Sequence, residues 1–195
     1  SVKLTQPVLL QSFTDEFKFQ RDHKVMNPAV PGSVLHPTEG KLSSDDLFTY
    51  RSGTGKLLHL MKWSRPEIGN TVRELSRYMS NAGMSHMKAL YRVMNYCLNT
   101  SERGKVFKPR RTCKHEDIAN FEFIVDGYSD YDYAKDPIKR RSVSGFCSFL
   151  EGCVLNTKSR MQPITSLSVT EAELVAATEC AQDLLFIKNV LESIG

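Results

Sequence analysis

An α+β fold is predicted, with helices in the first part of the chain and strands in the second, and two observations predict it. Between residues 57 and 97 apolar side chains recur at three- and four-residue spacing, the period of a helix face. From residue 121 onward, short β-branched and aromatic runs are separated by turn signals before a long helical pattern returns. Three strands followed by one helix is the order that matters.

Leu57, Leu58, Leu60 and Met61 predict a helix ahead of Ser64. Ser64-Arg65-Pro66-Glu67 has the Ser-x-x-Glu form of a capping box, with proline in the first turn, where its missing N–H costs nothing. Ile68, Val72, Leu75 and Met79 follow at helical spacing until Asn81-Ala82-Gly83 stops the run. A further helix carries Met87, Leu90, Met94 and Cys97 on one stripe and Lys88 with Arg92 on another. Residues 24–46 hold three prolines and two glycines with little periodicity, and read as an extended surface connection. The polar, basic link 103–117 closes the helical region, so domains of 1–110 and 111–195 are expected.

In the second domain Phe121–Val125, Ser142–Leu150 and Cys153–Thr157 predict strands. Glu151-Gly152 is a tight-turn signal that joins the last two as an antiparallel hairpin. Ser168-Val169-Thr170-Glu171 is another capping box. Behind it Leu174, Val175, Leu184, Ile187, Leu191 and Ile194 predict a long amphipathic helix.

Composition narrows the function. Hydrophobic residues make up 41% and charged residues 25% of the chain, ordinary for a globular protein. The longest apolar runs are a few residues, too short for a membrane helix, so no membrane partner is expected. The opening SVKLTQPVLLQSF lacks the basic, apolar, small-residue order of a secretory signal. Five cysteines are scattered without CxxC spacing, and Cys113 with His115 has no second ligand pair at zinc-site distance. Reduced thiols and an intracellular setting, cytoplasmic or nuclear, are the expectation. Residues 1–109 carry 16 Lys and Arg against 9 Asp and Glu, a balance of +7, whereas residues 161–195 carry 1 against 5, or −4. A basic first part and an acidic last part suit a protein that holds a polyanion at one end and a divalent metal at the other.

The runs GYSDYDYAKD (127–136), RRSVSGFCSFLEG (140–152), KSRMQP (158–163) and LSVTEAELVAATECAQDLLFIKNVLESIG (167–195) closely resemble the ribonuclease H of copia-type retrotransposons. That family reads as a Gly-Tyr-Ser-Asp opening, a Ser-x-Ser-Gly-aromatic strand, a Lys-Ser-x-x-Gln segment and Ser-x-Thr-Glu-Ala-Glu at a helix start. Upstream, VKLTQPVLLQSF resembles the opening of the reverse-transcriptase thumb, and residues 50–100 the helical region after the polymerase palm. The resemblance covers nearly the whole chain. It implies a helical thumb and connection region followed by a partial ribonuclease H-like domain of three antiparallel strands and a long helix.

The implied chemistry is hydrolysis of RNA in RNA–DNA hybrids, with two Mg²⁺ ions held about 4 Å apart by carboxylates. By this resemblance Asp130 is the first metal ligand and catalytic acid, on the first strand, with Asp132 as its runner-up. Glu173, on the first turns of the helix, is the second. Without the motif, Asp130 would read as a solvated turn acid and Glu173 as a helix-start acid; Glu171 is better explained as the capping residue. Arg73 with Arg77 and Lys88 with Arg92 are candidates for nucleic-acid backbone, although a solvated face explains each of these pairs somewhat better; Lys158 and Arg160, with Ser159 and Gln162, are further candidates. The resemblance places an Asp-Asn strand and a fourth acid after the long helix, beyond Gly195. Mg²⁺ is therefore expected to bind weakly here, and no hybrid cleavage is expected. Three readings follow: a piece of a reverse transcriptase–ribonuclease H, a module that grips RNA–DNA hybrid weakly and without sequence preference, or a scaffold that self-associates. The last would use an open sheet edge at Phe121, Phe123 and Val125.

Overall fold

The computed structural model describes residues 1–111, 121–132 and 141–194. The chain divides into two compact units, one spanning Leu4–Lys105 and the other Val106 onward together with Ser1–Lys3. The architecture is α+β. Its elements are β1 (Val2–Leu4), α1 (Pro7–Glu16), α2 (Ser44–Trp63), a 3-10 turn (Pro66–Ile68), α3 (Gly69–Ser76) and α4 (Met84–Asn99), then β2 (Lys105–Phe107), β3 (Val125–Asp132), β4 (Val143–Leu150), β5 (Cys153–Met161) and α5 (Val169–Ile194). β1 and β2 form a two-stranded sheet, and β3, β4 and β5 a second sheet in that order. Among the described residues no helix is long and apolar enough to cross a membrane.

The helical unit is organised by α2. Ser43 caps it by accepting the Asp46 N–H at 3.1 Å, and Asp45 and Asp46 sit in the first turn, where the helix dipole favours acids. Its buried stripe is Tyr50, Gly53, Thr54, Leu57 and Leu60. Gly53 is needed for close approach: a Cβ there would lie 2.8 Å from Leu90 Cδ2 and from Met94 Cε. The core continues through Ile68, Val72 and Leu75 and through Met87, Leu90, Val93, Met94 and Cys97. The expected capping box at Ser64 does not form. The Ser64 N–H is taken by Leu60 O, ending α2, and the Glu67 carboxylate accepts instead from Arg65 Nε at 2.6 Å. A 3-10 turn then leads into a helix that stops at Ser76, so Met79 lies beyond it.

The second unit is an antiparallel sheet with β4 in the middle and α5 against β3 and β4. Glu151 and Gly152 turn the β4–β5 hairpin with φ of 50° and 77°, as the Glu-Gly signal predicts. β5 runs through Met161, longer than expected, and so takes Lys158 and Arg160 into the sheet. The first strand is displaced: it begins at Val125 and carries the Gly-Tyr-Ser-Asp motif, while Phe121, Phe123 and Ile124 precede it. The reason lies in the backbone partners. Ile124 O accepts the Glu151 N–H at 3.0 Å, but its own N–H goes to Glu151 Oε1 at 2.9 Å and Glu122 O takes Arg111 Nη2 at 2.6 Å, so side chains interrupt the ladder here. The expected open edge therefore lies along Val125–Asp132, with Phe121 and Phe123 outside it. Among the described residues the far side of β3 pairs with no strand.

The buried face of α5 matches expectation at Ile187 and differs from it elsewhere. It consists of Ala172, Ala176, Cys180 and Ile187, whereas Leu174 and Ile194 are 62% and 78% exposed. The sheet surface beneath alternates Ser144, Phe146 and Ser148 of β4 with Asn156 and Lys158 of β5, so polar helix residues find partners there beside one buried ring.

Glu151 gathers the hairpin tip. Arg111 pairs with it from Nε at 3.1 Å and Nη2 at 2.5 Å, and with the Ile124 N–H this pulls its pKa down to about 2. In the helical unit His86 is fully buried, its Nδ1 accepting the Gly83 N–H at 2.9 Å, and burial lowers its pKa from the ordinary 6.5. Both groups have depressed folded-state values, so each contributes stability that is complete above its ordinary value and is lost as pH falls through the folded one. Acid is therefore expected to weaken the helical unit from pH 6.5 downward. The hairpin tip should hold until below its ordinary 4.5 and fail toward about 2. Trp63, the single tryptophan, reports the first event by fluorescence. The Ile124 amide resonance reports the second, and its change centred near 4.5 would contradict the Glu151 assignment.

Candidate functional site

Three polar latches hold α5 on the sheet, and motif residues form them. Gln162, 1% exposed, donates from Nε2 to Ser144 Oγ and to Ala172 O, both at 2.9 Å, and Ser166 Oγ donates to its Oε1 at 2.7 Å. Lys158 pairs with Glu179 at 3.4 Å and lies 5.6 Å from the Phe146 ring centre. Asp183 accepts from Ser148 Oγ at 2.6 Å and from Asn156 Nδ2 at 2.8 Å. At the helix start the Glu171 N–H reaches Ser168 Oγ at 3.1 Å and its carboxylate takes the Leu167 N–H at 2.6 Å, in the capping role expected of it. Nothing in the hydrophobic pattern marks these residues; their signal is the polar spacing of the motifs.

Asp130 lies on β3 opposite Gly145. Gly127, three residues earlier, faces α5, because a Cβ there would sit 2.8 Å from both Cys180 Sγ and Leu184 Cδ1. Strand alternation then turns Ser129 and Tyr131 to the helix, and Asp126, Tyr128, Asp130 and Asp132 to the opposite face. Tyr128 meets Phe149 on that face, with ring centres 5.7 Å apart. Asp130 is exposed, and its Oδ1 accepts the neighbouring Tyr131 N–H at 2.8 Å. Glu173 is exposed near the start of α5, on the stripe that presents Cys180 and Leu184 to β3 seven and eleven residues later. Among the described residues it has no hydrogen-bond or ion-pair partner.

The two acids share one end of the sheet, since Gln162 ties Ala172, the neighbour of Glu173, to Ser144, which pairs with Tyr131. They do not share a face. Among the described residues no three His, Cys, Asp or Glu side chains are grouped to hold a metal ion. Carboxylate oxygens are the right donors for Mg²⁺. Two of them on opposite sides of a strand do not build a clamp for two ions. Asp136, Cys113 and His115 lie outside the described residues.

The basic candidates fall in three places. Arg73 pairs with Glu74 at 2.8 Å and donates to Asn70 Oδ1 at 2.7 Å. Arg77 reaches the same Glu74 at 3.2 Å, so this pair shares one carboxylate. Lys88 and Arg92 form no ion pair among the described residues, and Arg92 Nε is buried without a partner. Lys158 is held in its latch, and Arg160 is exposed on the same face of β5. The described cysteines, Cys97, Cys147, Cys153 and Cys180, are all free.

The chain is 30% identical over 146 residues to the retrovirus-related Pol polyprotein from transposon TNT 1-94 of Nicotiana tabacum, a match covering 75% of this chain and 10% of that protein. It is 33% identical over 138 residues to the secreted RxLR effector protein 161 of Plasmopara viticola, covering 71% of this chain and 90% of the effector. An uncharacterized mitochondrial protein of Arabidopsis thaliana is 30% identical over 87 residues, 45% of this chain and 69% of its own length. The chain thus spans about a tenth of the length of the Pol polyprotein it matches. No family model matches it, and no solved structure does.

Proposed function

We propose, on the premise that this chain belongs to the copia-type family of retrovirus-related Pol sequences, that it is the stretch where reverse-transcriptase thumb and connection helices run into a ribonuclease H-like domain. One observation carries this reading. The motif residues Gly127, Ser144, Gln162, Ser168 and Glu171 each join one element to another or cap the helix, whereas Asp130 and Glu173 stand exposed at one end of the sheet, with only the adjacent Tyr131 N–H bonded to Asp130. Exposed acids that join no elements, at the two positions where the resemblance expects metal ligands, support an inherited part in hydrolysis of RNA–DNA hybrids.

That hydrolysis belongs to the whole polyprotein. The described residues gather no third acid and hold these two on opposite faces, so the chain as given is expected to leave a labelled hybrid uncut above background in Mg²⁺ or Mn²⁺. Robust cleavage that disappears in Asp130→Asn would overturn this.

A second reading, a binding module without cutting, is favoured by the effector, in which this stretch makes up 90% of the protein. The +7 balance of residues 1–109 supports weak hybrid binding without sequence preference. Such binding should fall steeply with added salt, as counterion release requires. Absence of binding to hybrid at low salt would remove this reading.

A further inference from the structure

The helical unit contains a cavity of about 380 Å³ between the connection ahead of α2 and helices α3 and α4. This is within the range of small-molecule sites. Val30 and Leu35, from the connection, and Ala89, from α4, give it an apolar wall. Its one acid, Glu74, is already gripped by Arg73 and Arg77. Its two further cations are not matched. Lys88 and Arg92 stand one turn apart on α4, both line the cavity, and neither is ion-paired among the described residues. The Arg92 Nε–H is buried and has no acceptor. A buried donor left unsatisfied is costly, and an entering oxyanion would relieve that cost.

We propose that this cavity binds a small organic phosphate, with its phosphate group on Arg92 and Lys88 and its apolar body against Val30 and Leu35. The forked guanidinium donors suit an oxyanion, and the ammonium of Lys88 adds a mobile second charge. The apolar wall selects an organic phosphate over inorganic phosphate. Concavity selects a compact ligand over a duplex, whose backbone needs an extended groove. This site is independent of the ribonuclease H-like reading, because every residue in it belongs to the helical unit.

Calorimetric titration of the full chain with adenosine monophosphate, adenosine and inorganic phosphate tests the assignment. The monophosphate should bind, inorganic phosphate more weakly, and adenosine not measurably. Arg92→Met and Lys88→Met should each weaken monophosphate binding about tenfold, with thermal melting confirming that each variant folds. Val30→Asp, on the connection, places a negative charge at the wall and should weaken it comparably without removing a cation. No heat with the monophosphate would overturn the proposal, as would binding unchanged in Arg92→Met and Val30→Asp. So would an RNA–DNA hybrid that binds at low salt, displaces the monophosphate and loses affinity in Arg92→Met, since the cations would then belong to a nucleic-acid track.

Discussion

Replacing Arg65 by Ala is expected to destabilise the helical unit by about 3 kcal/mol, as for other buried charged groups that hold several partners. Arg65 is 1% exposed. Its Nη1 donates to Thr100 O at 3.1 Å and Cys97 O at 3.5 Å, its Nη2 to Thr100 Oγ1 at 2.6 Å, and its guanidinium lies 5.3 Å from the Tyr96 ring centre. Those carbonyls belong to the C-terminal end of α4, where helices leave acceptors unmatched and favour a cation. Truncation would leave the acceptors buried and open a void the size of a long side chain. Arg65→Lys should recover part of the loss, because it restores the charge but not the fork. Glu67→Gln should cost less, since Glu67 is 39% exposed and water can replace its partner. Urea unfolding followed at Trp63 measures all three, and an Arg65→Ala midpoint equal to that of the parent would show that the Arg65 network contributes nothing.

Gln162→Leu is expected to loosen the second unit by a similar amount, about 3 kcal/mol, although it preserves side-chain size. It removes three hydrogen bonds at once and leaves the Ser144 and Ser166 hydroxyls buried without their partner. The first turns of α5 should then exchange their amide hydrogens faster, while the Asp183 latch keeps the later turns protected. Asp130→Asn and Glu173→Gln should by contrast stay within about 0.5 kcal/mol of the parent, since both acids are exposed and the amide introduced at the first can still accept the Tyr131 N–H. A large loss in either would assign that acid to the architecture and remove the main support for its inherited role.

The parts of the fold written in large apolar side chains were legible from spacing. Met87, Leu90, Met94 and Cys97 are buried together as their period predicts, and Glu151-Gly152 turns the hairpin. What spacing missed is polar. Ser64-x-x-Glu67 has the letters of a capping box, yet Glu67 answers Arg65, and nothing local reveals that an arginine will be buried. Phe121 to Val125 has strand propensity throughout, but Glu151 and Arg111 capture its backbone from 27 and 11 residues away. On α5 the apolar spacing found Leu184 and Ile187 but missed the alanines, the cysteine and the aspartate that line the rest of the packed face, and it included Leu174 and Ile194, which are exposed. Asp130 and Glu173 carry no periodic signal at all. Only the ordered motifs single them out, and the geometry then sets them on opposite faces of β3.

The latches under α5 fix the register between helix and sheet at three heights, so sliding by one turn would break all of them together. A fold closed in this way writes its signature in the fastening residues, and those are most of what makes the sequence recognisable. Any relative that closes the same way has to keep Gly127, Ser144, Gln162 and Asp183, while Asp130 and Glu173 can vary at little cost to folding. Relatives that keep these fastening residues would then look alike at the level of the motif, whether or not they keep the two exposed acids.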